Sequence, residues 1–140
     1  MKTPTERVFV YGTLKRGFPN HHCMEGAAFV CMARSIEAWP LVVGNTSFTP
    51  YLLPEKGAGH RVTGELWDVP ETMMPSLDDL ESTHLPNGYR RTRIQVEPEG
   101  GGAAGEAWAY FRERRFIDII HTEPMADYQD RRYLRREDRD

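Results

Sequence analysis

Apolar residues in this chain fall mainly into short runs of two-residue period, broken once by a stretch of helical period. Arg7 to Tyr11 sets Val8 and Val10 on one face and Phe9 and Tyr11 on the other, which predicts a strand covered on both sides. Gly12 ends it, Thr13 to Pro19 reads as a tight polar loop, and Asn20 is placed to cap a short helix through Glu25. Ala27 to Glu37 is extended, and Pro40 to Val43 and Tyr51 to Leu53 are short extended pieces around a Gly-Asn-Thr-Ser turn. Arg61 to Val69 alternates Val62, Leu66 and Val69 with polar residues and reads as a further strand.

The helical stretch follows, with Asp68 or Val69 as its cap, Pro70 in its first turn, and Met73, Leu77 and Leu80 on one face. Pro75 inside it removes a donor and predicts a kink or two short helices. Tyr89 to Val96 and Glu106 to Phe111 read as a hairpin closed by the glycine cluster 100–105. Five or six short strands and two or three short helices make an α+β chain, a small barrel or curled sheet, without the βαβ alternation of a dinucleotide fold. Residues 1–140 are expected to form a single domain, with 112–140 a charged C-terminal tail.

Charge narrows the function classes. A net charge of −3 and a pI of about 6.0 argue against nucleic acid as a partner. No apolar run reaches the length of a membrane span, and Met1 to Arg7 lacks a signal-peptide core, so a cytoplasmic protein without a membrane partner is expected. Cys23 and Cys31 match neither a zinc knuckle nor a redox pair. They read as buried free thiols, although His21 and His22 beside Cys23 leave a Cys/His nucleophile open. His21, His22, His60, His84 and His121 show no ligand spacing, so no metal and no cofactor is called for.

Two segments carry chemistry. Tyr11, Gly12, Thr13 and Leu14 follow directly on a buried strand, where a sharp turn exposes consecutive backbone N–H groups. Such a nest holds a carboxylate or a developing oxyanion, and Gly12 allows close approach; many turns of this composition are only turns. Lys15 lies beyond the nest, where its charge is expected to act through solvent and be screened by salt. The second segment is Leu77-Asp78-Asp79-Leu80-Glu81 at the helix end. Glu81 lies on the apolar face of Leu77, where desolvation would raise its pKa toward neutrality and suit it to general acid/base work. The alternative is an edge-of-core carboxylate paired with Arg90 or Arg91, and Asp78 and Asp79 are expected to be solvated or to cap backbone.

Val8 to Gly17 followed by Pro19-Asn20-His21 resembles the opening of the γ-glutamylamine cyclotransferases, within the γ-glutamyl cyclotransferase-like or AIG2-like superfamily. The resemblance continues at Gly64-Glu65, at the LDxxE helix end through Ser82, at Tyr89 to Thr92, at Ala107 to Tyr110, and at Arg132-Tyr133. It implies a small mixed β-barrel with short flanking helices. It also implies release of an amine from a γ-glutamyl amide, the glutamyl α-amine attacking its own side-chain carbonyl to form 5-oxoproline. By position Glu81 is then the acid/base, and Tyr11, Gly12, Thr13 and Leu14 bind the small-molecule γ-glutamyl amine substrate. A same-fold enzyme for another amide or amine, and a non-catalytic binding module, are the alternatives. Whether the turn would hold the α-carboxylate or the oxyanion stays open.

Overall fold

In the computed structural model, which describes residues 4–80 and 88–135, five strands close into a barrel. The strands are β1 (Thr5–Val10), β2 (Ala28–Trp39), β3 (Leu41–Gly44), β4 (Thr49–Leu52), β5 (His60–Pro70), β6 (Arg90–Pro98) and β7 (Gly105–Phe111). The barrel order is β1-β5-β2-β6-β7, and β3 with β4 forms a separate antiparallel ribbon. Pairing within the barrel is antiparallel except at its seam, where Val8 of β1 faces Trp108 of β7 in parallel. The barrel is therefore mixed, as the resemblance implied. No described helix is long and apolar enough to cross a membrane.

The two apolar faces of β1 go where the pattern sends them. Phe9 and Tyr11 enter the barrel interior with Ala33, Val62, Leu66, Ile94, Val96, Ala107 and Phe111. Val8 and Val10 face outward under Trp67, Val69, Met74 and Leu77. Burying both faces makes β1 the fixed rail from which the following turn projects.

Close packing of β1 on β5 depends on Gly64. A Cβ there would lie 2.5 Å from the Val10 carbonyl oxygen and 2.7 Å from Phe9 Cζ. Gly64→Ala should therefore cost about 1–3 kcal/mol through overpacking. A lowered urea midpoint checks this, and an unchanged midpoint would mean that the strands move apart freely.

The helix begins later than its composition suggests. Register pairs β1 with β5 as far as Thr5 against Pro70, and Asp68, opposite Arg7, binds that guanidinium at 2.8 Å instead of capping a helix. Pro70 precedes a 3₁₀ turn (Glu71–Met73), after which α1 runs over Met74–Leu80. Pro75 thus sits in the first turn of α1, and the expected division into two short helices is what forms. Leu77 is buried, Met73 and Leu80 pack partly against the outer cluster, and Met74 is buried as well. Asn20 precedes a 3₁₀ turn (His21–Met24) but makes no side-chain cap.

Beyond Phe111 the chain has little regular structure, yet its backbone is stitched down as far as Leu134. His121 N–H donates to Val43, Met125 N–H to Leu41 and Leu134 N–H to Ser47, while Ala126 accepts from Thr63 N–H. Tyr128 is wholly buried, and burial pushes its hydroxyl above the usual phenol range. Through Arg135 the charged segment is a strap across the β3–β4 ribbon and the turn after β1.

Candidate active site

The turn after β1 is held by its carbonyls. Gly12 O accepts from Lys15 N–H at 3.1 Å, and Thr13 O from Asn20 N–H at 2.9 Å. Leu14 O lies 3.0 Å from His21 Nδ1, so that ring nitrogen carries the proton. Among the described residues no protein acceptor takes the N–H of Gly12, Thr13 or Leu14. Gly12 and Leu14 are buried nonetheless. Buried N–H groups are rarely left unpaired, and consecutive N–H groups of a turn are able to receive an anion or a developing oxyanion. Asn20 Nδ2 fixes the turn further, donating to Thr13 Oγ1 at 3.0 Å and to the Tyr133 hydroxyl at 3.1 Å.

These four residues line a cavity of ≈ 140 Å³ at one end of the barrel. Besides Tyr11 to Leu14, its described wall comes from Phe9 and Val10 of β1, Thr49, Pro50 and Tyr51 of β4, Leu80 at the end of α1, Tyr89, Tyr110, Arg112, Asn20 and Tyr133. The Tyr11 side chain packs in the core cluster, and its hydroxyl donates to the Tyr110 carbonyl at 2.6 Å. At Gly12 the requirement is space. Its φ lies outside the left-handed region, but a Cβ would meet Pro50 Cγ at 2.7 Å.

Glu81 lies outside the described residues, as do Ser82 and His84. The preceding residue, Leu80, lines the cavity. Asp78, which had no assigned chemistry, accepts from the Tyr110 hydroxyl at 2.8 Å and pairs with Arg91 at 3.4 Å. It ties the end of α1 to β6 and β7. Glu65 is buried but serves the turn from outside the cavity: it accepts from Arg16 N–H and Trp67 Nε1, each at 3.1 Å, and from Arg16 Nε at 3.3 Å.

Lys15 corrects an expectation. It is 4% exposed, and its Nζ donates to the Tyr128 carbonyl at 2.8 Å and to Asp127 at 3.0 Å. The strap covers it, so its charge does not act through solvent. Asp127 is half-exposed, which leaves the carbonyl bond as the main contribution. Lys15→Met should therefore destabilise the protein by about 1–3 kcal/mol. The loss should be nearly independent of salt in urea titrations, and a small effect that vanished with salt would restore the solvent-screened picture.

Cys23 and Cys31 form no disulfide with each other, are only half-buried, and neither lines the cavity. Among the described residues no three His, Cys, Asp or Glu side chains gather to hold a metal. Sequence reasoning missed Arg112, Tyr51 and Pro50 as wall residues. Arg112 carried a signal: it continues the Trp108, Tyr110 alternation of β7 onto the face that reaches the cavity.

The fold is a closed, mixed five-stranded β-barrel, and comparison with known proteins gives the family. Residues 8–132 match the family described as gamma-glutamyl cyclotransferase, AIG2-like. The chain is 39% identical over 142 residues to a gamma-glutamylaminecyclotransferase of Bos taurus, covering 94% of this chain and 83% of that one. It is 44% identical over 108 residues to its counterpart in Mus musculus, covering 71% of each. The crystal structure of an AIG2-like protein from Mus musculus superposes with a TM-score of 0.83 at 34% identity, covering 96% of this chain and 99% of that one. The chain belongs to the AIG2-like gamma-glutamyl cyclotransferase family of enzymes.

Proposed function

We propose that this chain is a γ-glutamylamine cyclotransferase, releasing a free amine and 5-oxoproline from a γ-glutamyl amide. The observation that carries the proposal is the row of unpaired N–H groups at Gly12, Thr13 and Leu14 on a small cavity. No serine or cysteine lines that cavity among the described residues, which suits a reaction whose nucleophile belongs to the substrate. The names of the relatives add the substrate class.

In this mechanism the substrate folds so that its α-nitrogen faces the side-chain carbonyl carbon. Holding that conformer accounts for a large share of the rate, since positioning in favourable intramolecular cases contributes roughly 7–11 kcal/mol. The α-nitrogen forms a bond to the carbonyl carbon, and the N–H groups of the turn stabilise the oxyanion that develops. Collapse breaks the bond to the leaving nitrogen. Two protons leave the α-ammonium nitrogen and two reach the departing amine. Glu81, cycling between carboxylate and acid, carries them with no net change. Incubation with γ-glutamyl amides that differ in the amine, with mass-spectrometric detection of 5-oxoproline, tests the proposal. Turnover of any of them supports it, and none across a broad panel contradicts it.

A further inference from the structure

Arg112 is the one charged side chain among the described residues that line the cavity. Its Nε is buried and has no hydrogen-bond partner, while Nη2 reaches the Phe116 carbonyl at 3.2 Å. Among the described residues no carboxylate pairs with it, whereas Lys15 is paired with Asp127, Arg16 with Glu65 and Arg91 with Asp78. The guanidinium carbon stands 5.5 Å from the Tyr51 ring and 5.8 Å from the Tyr89 ring, and those two rings stack at 5.8 Å. Both rings are wall residues of the same cavity, and both are held from behind. Asn45 Nδ2 donates to the Tyr51 hydroxyl at 2.8 Å, and the Tyr89 hydroxyl donates to the Pro50 carbonyl at 2.9 Å. The side chain is thus laid against fixed aromatic faces with no carboxylate among the described residues to match its charge.

A guanidinium partly removed from water with an unused buried N–H is costly unless an anion completes it. Carboxylate is the anion whose geometry matches it, through parallel charge-assisted hydrogen bonds. Resting on the cyclotransferase proposal above, we infer that Arg112 binds a carboxylate of the substrate. The backbone N–H groups of Gly12 to Leu14 then serve a second negative centre. The carboxylate has two possible sources, the glutamyl α-carboxylate or a carboxylate carried by the departing amine.

The test uses the full-length protein as wild type, Arg112→Gln and Arg112→Lys. Kinetics are measured on γ-glutamyl amides of an ω-amino acid and of a plain alkylamine of the same length. In Arg112→Gln, KM should rise roughly 10- to 100-fold with little change in kcat, the loss expected for a hydrogen bond to a charged group. Arg112→Lys should recover part of it. A rise with both substrates assigns the glutamyl carboxylate, and a rise with the amino-acid amide alone assigns the departing amine. Calorimetry separates this inference from the cyclotransferase proposal, because it needs no turnover. Wild type and variants are titrated with 5-oxoproline against pyrrolidin-2-one, and with the ω-amino acid against the alkylamine. The preference for the carboxylate-bearing member of one pair should collapse in Arg112→Gln, whereas a purely structural role would weaken both members alike. Unchanged preferences in both pairs, or KM within about twofold of wild type for both substrates, would overturn the inference.

Discussion

Glu81→Gln is expected to fold as the wild type does and to lose roughly 10²- to 10⁴-fold in turnover, the range for a positioned general acid/base. The amide keeps the size of the side chain but can neither accept the α-ammonium proton nor deliver one to the departing amine. The position motivates the prediction: Glu81 directly follows Leu80, which lines the cavity, at the end of a helix anchored by the Asp78 bonds to Tyr110 and Arg91. Because the substitution removes proton transfer and leaves the turn intact, the loss should appear in kcat. A folded Glu81→Gln enzyme with wild-type kcat on a confirmed substrate would show that some other group moves the protons.

The second large effect is expected at Gly12. Valine there places its Cβ 2.7 Å from Pro50 Cγ, in a wall made of a strand residue with a closed ring. The proline ring is tied to its strand backbone, so the turn and the ribbon must move apart and the position of the turn's N–H groups is disturbed. Gly12→Val is predicted to abolish binding of 5-oxoproline in calorimetry. Gly12→Ala meets the same contact with less bulk and should retain weak binding. Thr13→Ser should be mild, since serine keeps the hydroxyl that accepts from Asn20. Thermal melting comes first. The φ of Gly12 lies outside the left-handed region, so no positive-φ strain adds to the contact, and binding is read only on a variant that melts cooperatively. Folded Gly12→Val protein that still bound 5-oxoproline would remove this turn from the substrate cradle.

The fold was legible where a local pattern carried it. The double-faced apolar run of β1 predicted a strand buried on both sides, and the two-residue alternation of β5 and the glycine cluster between β6 and β7 predicted their places. Misplacement came where a distant partner overrode a local preference. Asp68 is a good capping residue by composition, but the register of β1 sets Arg7 opposite it. Lys15 carries the charge of a surface residue and is buried because the strap, more than a hundred positions away in sequence, supplies Asp127 and the Tyr128 carbonyl. That strap has no apolar period, since backbone bonds and isolated apolar anchors such as Ile117, Met125 and Tyr128 hold it, and neither leaves a repeating pattern along the chain. In the candidate site the sharp turn at Gly12 was legible from composition, whereas the alternation that carries β7 on to Arg112 was masked by the charged run it opens.

The central claim is that the substrate supplies its own nucleophile. Turnover of a γ-glutamyl amide in heavy-oxygen water tests this most directly, because cyclisation takes no oxygen from solvent and hydrolysis must. The predicted products are the free amine and 5-oxoproline bearing no heavy oxygen, in equal amounts. Glutamate labelled in its side-chain carboxylate would show instead that water attacks the carbonyl, and would contradict the account.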